Sequence, residues 1–161
     1  MARDETRFFD RHYEKGLHWW ERTYFETYAG EAVVGEKTAN YLYDPEVPRR
    51  IAESLPTAKL ICSLRDPIER MYSAYIMQMS NKKENQEHIS LQAVNINNEL
   101  LQRGLYYQQI QRFLRFFSIK QMLIIIYEDK FKGPIDFIQQ IYRFLEVNDN
   151  FVPPSINLQT K

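Results

Sequence analysis

The sequence KLICSLRDPIERMYSAY, residues 59–75, determines the fold class that this chain predicts. Residues 58–64 form an apolar run of strand length, which is typical of a buried strand. Asp66 is a favoured helix N-cap residue, Pro67 suits the first helical position, and Glu69 stands where a capping box needs it. We therefore predict a strand followed directly by a helix. Its apolar face at helical spacing comprises Ile68, Met71, Tyr72, Tyr75, Ile76 and Met79.

Strand-like and helix-like segments alternate around this stretch. Apolar runs at residues 32–35 and 121–127 predict two further buried strands. Helices are predicted over residues 48–55, 97–117 and 134–145, the second of them loosened near Gly104. Strands separated by helices indicate parallel pairing, so the predicted fold class is α/β, a parallel sheet flanked by helices. We expect one domain over residues 1–161.

Two segments have a less regular pattern. Residues 8–28 are rich in aromatic side chains and predict one or two short helices. We interpret these rings as core, with a ligand-stacking surface as the alternative. Residues 80–90 are polar and predict a loop, where substrate contacts are common.

Composition and charge exclude several classes of protein. The 161 residues include 21 basic and 21 acidic side chains, so bulk electrostatics gives no nucleic-acid signature. Cys62 is the single cysteine and can form neither an internal disulfide nor a cysteine pair for zinc. His12, His18 and His88 show no metal-binding spacing, and we predict no metal. The longest aliphatic run, residues 122–126, is too short for a membrane span.

Four side chains are candidates for anion binding or acid-base chemistry. Arg65 lies between a strand end and a helix N-terminus, which favours an anion site; an ion pair with Asp66 or Glu69 is equally consistent with the residues. Lys37 follows another predicted strand and could converge on the same crevice, although a solvated surface lysine is the default. Ser73 would ordinarily hydrogen bond to the preceding helical turn. Glu5 stands in a frame with Phe8 and Phe9 that could hold one carboxylate rigidly.

The stretch GEAVVGEKT, residues 30–38, is close to the phosphate-binding loop pattern of nucleoside triphosphatases. It departs from that pattern because Glu36 is inserted before Lys37, and because the residues between the glycines are strand-like where the motif needs a loop. A nucleotide kinase relative would require this stretch to bind phosphate, so we do not favour that class.

Several blocks in order carry a family resemblance: Glu5 with FFD, KGLHWWE, GEKTANYL, VPRRI, KLICSLRDPIERMYSAY, RGLYYQQIQRFLRFF and QMLIIIYEDKF. Together they resemble the sulfotransferase superfamily that uses 3′-phosphoadenosine 5′-phosphosulfate (PAPS), and in particular the heparan sulfate glucosaminyl sulfotransferase type and its bacterial relatives. The resemblance runs from Glu5 to about residue 150. It implies the P-loop-like sulfotransferase fold.

The resemblance also implies roles for the four candidate residues. Arg65 and Ser73 correspond to the arginine and serine that bind the donor's 3′-phosphate. Glu5 corresponds to the catalytic glutamate, the general base for an acceptor hydroxyl or amine. Lys37 corresponds to the lysine that contacts the donor and the transferring sulfonate, where its charge would stabilise the developing negative charge. PAPS is then a co-substrate, and this set of residues requires no metal.

Departures from the family pattern qualify the expected function. The strand and lysine-bearing loop that hold the 5′-phosphosulfate would precede Glu5, and a further segment would follow residue 150, so we expect a fragment, a misplaced start or a degenerate copy. Arg7 also stands where relatives often carry histidine. Loss of a central strand would expose sheet edges, which predicts reduced stability and self-association.

The predicted function is sulfonate transfer to a hydroxyl or amine, with a carbohydrate as the expected acceptor. The alternative is a non-catalytic remnant that binds a 3′-phosphonucleotide or acts as an interaction module. The sequence carries no signal segment, which predicts the cytoplasm for a complete bacterial protein. The Golgi lumen would follow if an N-terminal anchor has been lost.

Overall fold

Two parallel strands lie at the centre of the structure, a computed structural model that describes residues 5–80 and 99–154. β1 (Leu60–Leu64) pairs with β2 (Met122–Ile126) in a register that places Leu60 opposite Met122 and Leu64 opposite Ile126. Helices separate the two strands along the chain, as parallel pairing requires. The α/β class and both of these predicted strands are therefore confirmed.

Helices surround this pair of strands. The described α-helices are α1 (Leu17–Tyr24), α2 (Val47–Ser54), α3 (Pro67–Ser80), α4 (Glu99–Gln102), α5 (Tyr106–Leu114), α6 (Asp129–Lys132) and α7 (Pro134–Leu145). A π-helical turn (Phe8–His12) and a 3-10 turn (Tyr13–Lys15) precede α1, and a second 3-10 turn (Ile119–Gln121) precedes β2. None of the described helices has the length and apolar character of a membrane span.

The predicted helix over residues 97–117 is interrupted as expected. Within its described part, α4 and α5 are separate helices on either side of Gly104. A Cβ atom at residue 104 would lie 3.2 Å from the Leu101 carbonyl oxygen and 3.3 Å from the Pro67 Cβ, so any larger residue would have to displace these neighbours by a few tenths of an ångström. The predicted loop lies outside the described residues except for Ser80, which ends α3, and His88 lies outside them as well.

The prediction of a strand at residues 32–35 is wrong. This segment has no regular secondary structure, and Val33 and Val34 are 41% and 43% exposed. A buried strand needs both a hydrogen-bonding neighbour and cover for its side chains. The sheet formed by the described residues has two strands and gives this segment no neighbour.

The apolar face of α3 is only partly covered. Met71 and Tyr75 are half-buried, whereas Ile68, Tyr72 and Ile76 are 70%, 52% and 47% exposed. The helix itself forms as the sequence predicts, because a local cap specifies its start. The expectation that helical spacing marks a buried face is wrong for these three residues. The Met79 side chain is outside the described part.

The aromatic residues near the N-terminus are core, as our preferred interpretation holds. Phe8 is fully buried, and its ring stacks on that of Trp20 with centroids 5.5 Å apart. Phe9 meets Phe8 edge to face at 4.9 Å. The main cluster comprises Phe8, Phe9, Trp20, Val47, Ile51, Phe113, Phe117 and Met122. It joins the N-terminal segment to α2, α5 and β2, and so fixes the backbone that carries Glu5.

Candidate active site

Arg65 lies at the carboxyl edge of the sheet, immediately after β1. The backbone N–H of Tyr127 donates to the Leu64 carbonyl at 2.7 Å, which brings the residues following both strands together. The Arg65 guanidinium is 3.7 Å from the Glu69 carboxylate and 4.0 Å from that of Glu128. These distances are too long for good hydrogen bonds. The ion pairs of Arg65 are therefore loose, and its side-chain N–H groups make no good hydrogen bond with a described residue. These N–H groups are available to bind an anion.

The N-terminus of α3 is capped from within the chain. Asp66 Oδ1 accepts the N–H groups of Ile68 and Glu69, both at 2.9 Å. The Asp66 N–H donates to Glu128 at 3.2 Å, so Glu128 takes the acceptor position that a capping box would give to Glu69. The expectation of free helix amides at this end is therefore wrong for these two groups. An anion bound at this edge would depend on Arg65.

Ser73 lies two turns into α3, and its side chain is exposed. Its hydroxyl forms no hydrogen bond with any residue of the described chain, so the ordinary bond to the preceding turn is not made. Ser73 is thus available as a donor on the helix that begins beside Arg65.

Glu5 and Lys37 lie on two neighbouring segments. Glu5 Oε1 accepts the Ala39 N–H at 3.1 Å, and the Arg7 N–H donates to Thr38 Oγ1 at 3.2 Å. The side chains of Glu5 and Lys37 are exposed, and Lys37 has no ion pair with a described residue. These bonds bring Glu5 close to the segment that carries Lys37, two residues before Ala39.

Glu36, the residue inserted before Lys37, is a half-buried carboxylate. It accepts a hydrogen bond from Thr6, and Thr38 Oγ1 lies 3.4 Å from its Oε2. Burial raises the pKa of Glu36, and the hydrogen bonds from Thr6, Tyr41 and Thr38 oppose that shift. Residues 36 and 38 are more buried than residues 37 and 39, the alternation of an extended segment. The residue types Glu, Lys, Thr and Ala show no matching alternation of polar and apolar side chains, so no sequence signal indicates that Glu36 faces inward.

A polar groove of about 640 Å³ opens beside Glu5. On one wall, Arg7 Nη2 forms an ion pair with Asp10 Oδ2 at 2.6 Å, and Asp10 is 2% exposed. Asn40 donates to the same Asp10 oxygen at 3.0 Å and accepts from Arg103 at 2.7 Å. The bond to Asp10 raises the pKa of Arg7. This network, which the sequence did not reveal, joins the N-terminal segment to residues 40 and 103.

One short segment connects the groove to α3. Glu99 and Arg103 line the groove. From the same segment, the Leu100 carbonyl accepts a hydrogen bond from Arg70 of α3, and Gly104 approaches Pro67. Glu5 and Ala39 therefore lie at the groove, with Lys37 two residues before Ala39, while Arg65 and Ser73 lie before and within α3. Residues 99–104 contact both the groove and the start of α3.

Metal ligation has no support in the described part of the chain. No three His, Cys, Asp or Glu side chains there are grouped so as to hold a metal ion. Burial raises the pKa of the Cys62 thiol to about 11, so it stays protonated near neutral pH. The GEAVVGEKT stretch forms no strand, loop and helix unit of the phosphate-binding type.

The sequence and the fold identify the class of protein. The sulfotransferase domain family matches residues 2–156, so this chain belongs to that family. It is 32% identical over 148 residues to human heparan sulfate glucosamine 3-O-sulfotransferase 3B1, covering 88% of this chain and 38% of the relative. It is 29% identical over 163 residues to mouse bifunctional heparan sulfate N-deacetylase/N-sulfotransferase 4, covering 92% and 19%.

A solved structure has the same fold. The sulfotransferase from Alicyclobacillus acidocaldarius superposes with a TM-score of 0.78 at 22% sequence identity, covering 98% of this chain and 77% of the other. The chain spans less than half the length of the sequence relatives that it matches. The expected family and fold are confirmed, while the roles of Glu5, Lys37, Arg65 and Ser73 stay predictions.

Proposed function

We propose that this chain binds PAPS and transfers its sulfonate group to a hydroxyl or amine of an acceptor, with a carbohydrate as the acceptor class. The observation that carries this proposal is the 3.1 Å hydrogen bond that holds Glu5 against Ala39, two residues beyond Lys37. It joins a carboxylate suited to proton abstraction to a segment bearing an unpaired cation. Membership of the sulfotransferase family over residues 2–156 supports the same reaction class.

Arg65 and Ser73 would bind the 3′-phosphate of the donor. A guanidinium can donate two parallel hydrogen bonds to phosphate, and the loose ion pairs of Arg65 leave its donors available for this. The exposed Ser73 hydroxyl, on the helix that starts beside Arg65, would add one further bond. Because Asp66 occupies two amides of the first turn, Arg65 supplies most of the positive charge in this proposal.

Glu5 would act as the general base. Its Oε1 is fixed by the Ala39 N–H, and its exposed carboxylate can face an acceptor in the groove. As the acceptor oxygen or nitrogen bonds to sulfur, the bond from sulfur to the phosphate oxygen breaks, and the acceptor proton passes to Glu5. Lys37 would neutralise charge that builds on the sulfonate and leaving oxygens. Adenosine 3′,5′-bisphosphate leaves with the electrons of the broken bond.

A transfer assay with sulfur-labelled PAPS tests this proposal. We expect Glu5→Gln to lower the transfer rate by roughly 10²–10⁴-fold, the usual contribution of a general base. Its affinity for adenosine 3′,5′-bisphosphate should stay within about twofold of wild type, since Glu5 belongs to the acceptor side. Glu21→Gln, on the exposed face of α1, is the matched control. Equal rates for wild type and Glu5→Gln would overturn the role of Glu5.

We also propose that residues 1–161 belong to one sulfotransferase-like domain. Its compartment, cytoplasm or Golgi lumen, stays a prediction.

A further inference from the structure

Among residues 5–80 and 99–154, the side chains that line the groove beside Glu5 have no excess of positive charge. This described lining includes three guanidinium groups and four carboxylates, a net charge of minus one at neutral pH. These residues are Arg7, Arg11, Arg103, Glu5, Asp10, Asp44 and Glu99. A site that selects a polyanion is expected to show the opposite balance, because complementary charge governs specificity at binding surfaces.

Two of the three guanidinium groups are already paired inside the protein. Arg7 contacts Asp10 at 2.6 Å, and Arg103 contacts Glu99 at 2.6 Å. Arg103 also donates to Asn40 at 2.7 Å. Each pair occupies the Nε and Nη2 donors of its arginine and leaves Nη1 without a hydrogen bond to a described residue. The adjacent carboxylate offsets the charge of each guanidinium, so these two arginines add little net positive charge to the groove.

The groups left over favour hydrogen-bond donors in the ligand. Among the described residues, Arg11 is the groove cation without an ion pair, and Glu5 and Asp44 are carboxylates without a cation. Asp44 accepts the Glu46 N–H at 2.9 Å and keeps a second oxygen available. Carboxylate oxygens accept hydrogen bonds from hydroxyl groups, whereas they repel carboxylates and sulfates.

We infer that the acceptor bound in this groove is a neutral, hydroxyl-rich sugar chain. This inference rests on the proposed function, because it identifies the groove as the acceptor site. It separates this chain from the relatives named above, whose names specify heparan sulfate, a sulfated glycan. Asp44 is then a specificity-determining residue, since its carboxylate is not paired with a cation of the described chain and contributes to the negative balance of the groove.

Direct binding of two matched polymers tests the inference. The probes are a fluorescently labelled oligosaccharide of alternating N-acetylglucosamine and glucuronic acid, and the same oligosaccharide with its carboxyl groups reduced to alcohols. Each is titrated into the full chain with and without adenosine 3′,5′-bisphosphate. We expect the reduced oligosaccharide to bind at least about fivefold tighter. Its affinity should change little with salt, because its contacts are not ionic.

Tighter binding of the acidic oligosaccharide, with a steep loss in salt, would overturn the inference. Binding of neither oligosaccharide would overturn it too, since the groove would then bind no sugar chain. A failure of the proposed function gives a different result, the absence of bisphosphate binding. The oligosaccharide titration without nucleotide still tests the groove in that case.

A charge-changing variant localises the effect. Asp44→Asn keeps the oxygen that accepts the Glu46 N–H and removes one negative charge. It should improve affinity for the acidic oligosaccharide several-fold and change that for the reduced one by less than about twofold. Glu21→Gln makes the same charge change on α1, outside the groove, and should alter neither affinity. An unchanged affinity ratio in Asp44→Asn would contradict the assignment.

Discussion

Replacing Asp10 by alanine removes the carboxylate that joins the N-terminal turn to Asn40 beside the groove. Asp10 accepts from Arg7 Nη2 at 2.6 Å, from Arg7 Nε at 3.2 Å and from Asn40 at 3.0 Å. Removing one partner of a fully buried ion pair costs about 3–5 kcal/mol. Because Arg7 is 30% exposed and can be solvated, we expect a loss of about 2–3 kcal/mol in the free energy of unfolding.

Urea denaturation followed by circular dichroism measures this loss. The midpoint should fall with little change in slope, and the melting temperature should drop by about 4–12 °C. Asp129→Ala is the matched control, because Asp129 also pairs with a cation three residues away but is 51% exposed. A surface pair of that kind contributes less than about 1 kcal/mol. A loss in Asp10→Ala no larger than that in Asp129→Ala would refute the reasoning.

Three further predictions follow from the structure. Burial raises the pKa of Glu36 above its ordinary value of 4.5, so the folded protein binds this proton more tightly than the unfolded chain. Wild type should therefore lose stability relative to Glu36→Gln as pH rises from 4.5 through that raised pKa; parallel unfolding curves for the two proteins across this range would contradict the burial of Glu36. Gly104→Ala should lower stability by up to about 1 kcal/mol, because its Cβ would lie 3.2 Å from the Leu101 carbonyl oxygen and 3.3 Å from Pro67; Gly35→Ala, whose added Cβ would have no atom within 4 Å, should be near neutral in the same chemical denaturation. Within residues 5–80 and 99–154, no further strand pairs with β1 or β2, which predicts self-association in light scattering; a monodisperse monomer with a sharp cooperative melt would count against it.

Local signals explain why the centre of the fold could be predicted. The cap at Asp66 and the proline after it fix the start of α3 through bonds between near neighbours in sequence. The apolar run before Arg65 is a strand because β2 lies beside it. Residues 32–35 have a similar pattern and form no strand, since the described residues provide no neighbour for them. An apolar run of this length can form a strand, but it does so only where another strand lies beside it to accept and donate its backbone hydrogen bonds.

Long-range partners explain what the sequence could not supply at the site. Glu128, which accepts the Asp66 N–H, lies 62 residues further along the chain. Asn40 donates to Asp10, 30 residues before it, and accepts from Arg103, 63 residues after it. No local motif predicts such bonds, because they depend on how distant segments pack. The candidate residues could be proposed from a family resemblance, whereas the charge balance of the groove required the structure.

Calorimetric titration of the full chain with adenosine 3′,5′-bisphosphate tests the central claim most directly. We predict that wild type binds and that Arg65→Ala binds about 10- to 150-fold more weakly, the effect of losing a charged hydrogen-bond partner. Arg143→Ala is the control, since Arg143 is an exposed arginine 3.6 Å from Asp149. Equal affinity of wild type and Arg65→Ala would contradict the phosphate site, and no binding by folded wild type would make this chain a sulfotransferase by descent only.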